Sequence, residues 1–176
     1  MATKKVALSG FCIDRYEWPN IKGQRVLTKV SFPAAANMCS QEGKRLCTET
    51  EWERSCKGAS ATNFPYGEVF AENFCQTKTG GTGAVTGPAR AGGMPRCKSS
   101  FGAFDLSGNV AEWTAGKLMS GKTDRMVRGG SFRSSDWAAR CTSRKNYLPE
   151  THRDDLGFRC CREPNQDSEE NLAGGR

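Results

Sequence analysis

Nine cysteines, Cys12, Cys39, Cys47, Cys56, Cys75, Cys97, Cys141, Cys160 and Cys161, run from end to end of a 176-residue chain, and their scatter constrains the fold more than any other feature. Zinc sites use paired Cys-x-x-Cys units with histidines, but here the gaps are irregular and His152 is the only histidine. Cysteines scattered through a loop-rich domain point to disulfides, and so to an oxidising compartment. A chain of this length can bury a substantial core and does not need crosslinks in order to fold. Residues Met1 to Gly10 lack the apolar segment of a signal peptide. Either a signal or anchor was removed ahead of this numbering, or the thiols are reduced in a cytosol. Export is the preferred reading, which places the chain in the periplasm or outside the cell.

The formal charge is +7, and arginines recur between Arg125 and Arg162. No nucleic-acid-binding motif accompanies them, so nucleic acid is not expected as a partner. The basic surface is read as solvated, ion-paired to Glu150, Asp154 and Asp155, or turned toward another protein. No run of about eighteen apolar residues exists, so no helix of this chain is expected to span a membrane. Glycine and proline interrupt every periodic stretch, which excludes a coiled coil.

Val6 to Tyr16 reads as an opening strand, with a turn at Pro19-Asn20. Ser31 can cap a helix whose first turn contains Pro33. Phe32, Ala35, Ala36 and Cys39 then share one face, and Gly43 ends the helix. Thr48-Glu49-Thr50-Glu51 is a capping box opening a second helix, with Trp52 and Cys56 on its buried side and Gly58 as its stop. Residues 80–93 contain six glycines and read as a long surface loop. Short β-like segments follow at Phe101–Leu106, Met126–Phe132, Arg140–Arg144 and Gly157–Cys161. The expectation is one α+β domain over residues 1–162, with a polar, mobile tail over 163–176.

Five motifs stand in a fixed order. They are Gly43-Lys44-Arg45-Leu46-Cys47-Thr48-Glu49-Thr50-Glu51-Trp52-Glu53, Phe64-Pro65-Tyr66-Gly67, Phe101-Gly102-Ala103-Phe104-Asp105-Leu106-Ser107-Gly108-Asn109-Val110-Ala111-Glu112-Trp113, Val127-Arg128-Gly129-Gly130-Ser131-Phe132 and Leu156-Gly157-Phe158-Arg159-Cys160. Together they closely resemble the formylglycine-generating enzyme, or sulfatase-modifying factor, family over roughly residues 10 to 162. The resemblance implies a C-type-lectin-like fold.

Enzymes of that family use a copper-binding cysteine pair after the Arg-Gly-Gly-Ser strand, and another branch holds iron with several histidines. Carried onto this chain, the cysteine pair falls on Ser134 and Asp136. A hydroxyl and a carboxylate do not replace two thiolates as copper(I) ligands. One histidine cannot supply the iron site. The resemblance therefore implies a non-catalytic member that needs neither copper nor iron. Its expected role is that of an accessory or scaffold subunit of a larger extracytoplasmic or membrane-bound protein assembly. The alternative is a copper-dependent oxidase or other metalloenzyme with relocated ligands, drawn from Cys47, Cys75, Cys97 or Cys161.

The resemblance also implies the disulfides Cys39–Cys160 and Cys56–Cys141. Cys75 and Cys97 flank the glycine-rich loop and can pin its ends. Cys12 and Cys161 lie in first and last strands that are adjacent in lectin-like folds, which pairs them and leaves Cys47 odd, with Cys12–Cys47 equally open. In the family the Asp105–Glu112 motif binds a structural calcium, which would take the side chains of Asp105 and Glu112 and the carbonyls of Gly108 and Val110. Hard oxygen ligands from a tight loop suit that ion. Arg133, Ser134, Asp136, Trp137 and Tyr147 would line what is the substrate groove in the enzymes, and aromatic and arginine side chains of this kind are typical contact residues.

Overall fold

Local capping decides where the helices start. The computed structural model describes residues 5–8, 10–78, 86–117 and 123–164. Helix α1 spans Phe32–Gln41, with the Ser31 hydroxyl accepting from the Ala34 N–H and Pro33 in the first turn. Helix α2 spans Glu49–Lys57 and opens on the reciprocal capping box of Thr48 and Glu51. It ends at Gly58, whose φ of 67° suits glycine; a Cβ there would lie 2.3 Å from the Ser100 hydroxyl.

The strands form two four-stranded sheets. In the first, β1 (Lys5–Leu8) pairs with β2 (Phe11–Asp14), β2 with β8 (Cys160–Arg162), and β8 with β3 (Arg45–Leu46), all antiparallel. In the second, β6 (Arg144–Tyr147) is an edge beside β5 (Arg125–Arg128), which lies against β4 (Ala111–Lys117). Strand β7 (Leu156–Phe158) completes this sheet parallel to β4. One residue, Arg159, separates β7 from β8 and carries the chain from one sheet to the other.

Several expected segments resolve differently. The opening strand is a hairpin that turns at Gly10, where φ is 91°. Phe101–Leu106 is not a strand, because Gly102 and Asp105 adopt positive φ and leave only an isolated bridge between Lys98 and Phe104. The strand expected over Met126–Phe132 stops at Arg128, where Gly129 and Gly130 both turn into positive φ. Arg140–Arg144 is mostly turn following a short 3-10 helix at Trp137–Ala139, and β6 begins only at Arg144. Strand β4 carries no expectation from the sequence. Residues 79–85 of the glycine-rich stretch, and 165–176 of the expected tail, lie outside the described residues.

Two apolar clusters meet at β8, which is buried on both faces. Cys161 points with Ile13, Cys47, Trp52 and Leu106 into one cluster. Cys160 points with Cys39, Leu46, Trp113 and Phe158 into the other. Four disulfides tie the layers together: Cys39–Cys160, Cys47–Cys161, Cys56–Cys141 and Cys75–Cys97. The pairing of Cys12 with Cys161 or with Cys47 is corrected. In the β2–β8 register Cys12 faces Arg162 while Ile13 faces Cys161, so alternation sends Cys12 to the opposite side from Cys161. Cys12 is left as a buried free thiol.

Candidate functional site

The Asp105–Glu112 turn is shaped by three residues in the left-handed region, Asp105, Gly108 and Asn109. Gly108 needs its missing side chain: φ is 76°, and a Cβ would stand 2.2 Å from the Gln76 carbonyl oxygen. Asn109 locks the turn to its surroundings. Its N–H donates to the Gln76 carbonyl, its Oδ1 accepts from the Ala89 N–H, and its Nδ2 donates to Glu17. Glu17 also accepts from the Val110 N–H, and Asp105 accepts from the Gly92 N–H at 2.7 Å.

Glu112 projects from β4 into the buried space beneath α2. Its Oε2 accepts from Trp52 Nε1–H and from Arg159 Nε–H, both at 2.7 Å, and its Oε1 accepts from Arg159 Nη2–H at 2.7 Å. Glu112 and Arg159 are both fully buried. The other guanidinium donors reach the carbonyls of Asp14, Arg15 and Phe104. Glu17 and Asp105 lie close enough to feel the same cation.

This arrangement does not fit the calcium expected on Asp105, Gly108, Val110 and Glu112. Calcium takes six to eight oxygen ligands. Here both oxygens of Glu112 are closed by a bidentate guanidinium fork, and the Asp105 carboxylate receives a backbone N–H. Among the described residues no group of three or more acids, cysteines or histidines is disposed to hold a metal ion.

The expected groove residues do not form one pocket. Ser134 is buried, and its hydroxyl accepts from the Ser131 N–H within the loop. Arg133 is half-exposed and paired with Asp154, while its guanidinium lies over Phe132. Tyr147 turns toward the second apolar cluster, edge-on to Trp113. Trp137 and Asp136 remain at the surface, with Trp137 65% exposed.

Beside Trp137 lies a cleft of about 30 Å³, room for roughly one water, lined by Val127, Arg128, Ala138, Arg144 and Lys145 as well as the indole. Arg128 is neutralised from below by Glu49 and Glu53 of α2, and Arg144 by Glu49. Arg140 and Lys145 are exposed and have no ion-pair partner among the described residues. The sequence reading missed Arg128, Arg144 and Lys145, whose relation to Trp137 exists only once β5 and β6 pair. It also missed Glu17 and Arg159, although Arg128 and Arg159 both stand in motifs quoted above.

Comparison with known proteins gives consistent findings. The sulfatase-modifying factor enzyme 1-like domain model matches residues 14–164. The inactive C-alpha-formylglycine-generating enzyme 2 of Bos taurus is 31% identical over 171 residues, covering 84% of this chain and 56% of that protein. The formylglycine-generating enzyme of Mus musculus is 31% identical over 160 residues, covering 74% of this chain and 42% of that protein. The chain thus spans about half the length of these relatives. Among solved structures, Treponema denticola variable protein 1 superposes with a TM-score of 0.73 at 18% identity, covering 88% of this chain and 84% of that one. The fold is the α+β, C-type-lectin-like one.

Proposed function

The chain belongs to the sulfatase-modifying factor enzyme 1-like family, and from that membership we propose that it is a member that binds other proteins and does not catalyse. What supports this reading is that the resemblance carries the family's copper-binding cysteine pair onto Ser134 and Asp136, neither of which is a thiol. Ser134 is spent on a hydrogen bond inside its own loop. A relocated pair fares no better: Cys47, Cys75, Cys97 and Cys161 are each at most 2% exposed and already bonded, Cys47 to Cys161 and Cys75 to Cys97. His152, the single histidine, has its Nδ1 2.8 Å from the Lys29 carbonyl at the surface.

The proposed role is an accessory or scaffold subunit in a larger assembly, in an oxidising compartment such as the periplasm or the cell exterior. The four disulfides support that location. Among the described residues no helix is long and apolar enough to cross a membrane. The contact surface is centred on Trp137 and extends over Arg140 and Lys145. An exposed indole in a basic patch, where Arg140 and Lys145 have no ion-pair partner among the described residues, suits a protein contact, whose centre is enriched in tryptophan and arginine. Affinity capture from the native source tests it. A partner held by the native chain should be lost, by at least about tenfold in affinity, with Trp137→Ala at unchanged melting temperature. Equal capture by both proteins would remove this surface from the account.

A further inference from the structure

We propose that Arg159 takes, inside the 105–112 turn, the part that a divalent cation would otherwise take, so that the turn is closed by a cation tethered to the chain and is independent of calcium. The inference stands apart from the binding role and holds whether or not the protein is catalytic.

Three acids converge there from separate parts of the chain: Glu17 after β2, Asp105 at the start of the turn and Glu112 on β4. All three are buried, and the buried cation facing them is Arg159. Its position is fixed by topology, since it is the one residue between β7 in one sheet and β8 in the other. Both sheets therefore hold the guanidinium in place from either side.

The polar groups around the cluster have the polarity that suits a guanidinium. A calcium ion would need oxygens pointing inward and no N–H groups among them. Here the Phe104, Asp14 and Arg15 carbonyls accept from Arg159, so their lone pairs are turned to its N–H donors. The carboxylates, in turn, receive the Gly92, Val110, Trp52 and Asn109 N–H groups as well as the guanidinium. A planar fork matches the two oxygens of Glu112 in a way that a spherical ion does not. Inserting calcium would require displacing a fully buried, fully hydrogen-bonded side chain.

The indole of Trp52 sits against Glu112, which provides a direct probe, because a lanthanide bound there would be sensitised by it. The full chain is melted in calcium and in excess chelator, and terbium luminescence is recorded with tryptophan excitation. The expected result is one melting temperature in both buffers and no terbium emission that depends on Glu112. A higher melting temperature in calcium, together with calcium-displaceable emission abolished in Glu112→Gln, would overturn the proposal. Asp105→Asn, which keeps the shape of a residue tolerant of positive φ, serves as the second variant if Glu112→Gln does not fold. The comparison of native protein in the two buffers stands without either variant.

Discussion

Glu112 and Arg159 neutralise each other where both side chains are fully buried, and removing one partner of such a pair typically costs about 3–5 kcal/mol, roughly the scale of a large core truncation. The two neighbouring acids are less well compensated. Burial pushes the Asp105 carboxyl up to about 7, against the Gly92 N–H and the Arg159 charge, which pull it down. Burial, with the charges of Asp105 and Glu112, also holds Glu17 well above the usual carboxylate range. In both cases the folded chain binds protons that the unfolded chain releases. The stability Asp105 contributes is therefore full below its unfolded value of 3.8 and is lost as pH rises through about 7. The urea midpoint should fall between about pH 5 and about pH 8, and fall less in Asp105→Asn. A midpoint that climbed over that interval would contradict this charge balance. In the sequence Asp105 and Glu112 are legible as neighbours on one turn, whereas Glu17 and the part played by Arg159 are not. Glu17 meets Asn109 across 92 positions, and no local pattern announces such a contact. Arg159 was visible as a motif residue, but its role depends on which two sheets it joins.

The helices are the elements best read from the sequence, because their signals are local. Ser31 and the Thr48–Glu51 box act within three residues of themselves, and both caps form. Thr48→Ala should lower stability by about 1 kcal/mol, read as a shift in chemical denaturation midpoint, since it leaves the Glu51 N–H without its acceptor. No change would mean that α2 is held by Trp52 and the Cys56–Cys141 bridge alone. Strands are harder to read. In β4 a buried charge, Glu112, alternates with Ala111 and Trp113, so the usual polar-out pattern is absent although the period of two is present. In Phe101–Leu106 the composition imitates a strand, while the backbone turns at Gly102 and Asp105. The Cys47–Cys161 bridge was hidden for a related reason: which face a cysteine takes depends on register, and register is a long-range property.

At the scale of the whole molecule, the disulfides join early elements to late ones. Three of them close sequence separations of 121, 114 and 85 residues. Loops of that size correspond to about 4–5 kcal/mol each in the chain-entropy model, where strain in the native state subtracts. Peptide mapping without reduction should return the four bridges and a single alkylatable thiol, Cys12, that reacts only after unfolding. Recovery of Cys12 in a bridge to Cys161 would contradict the β2–β8 register. The same crosslinked frame presents Trp137 at its surface and leaves no exposed thiol pair beside it. The central claim, that this family member has the fold without the chemistry, is tested most directly by incubating it with copper, oxygen and a sulfatase-motif peptide and measuring aldehyde on the peptide cysteine. The account predicts none above the protein-free control. Aldehyde that accumulates with turnover would contradict it.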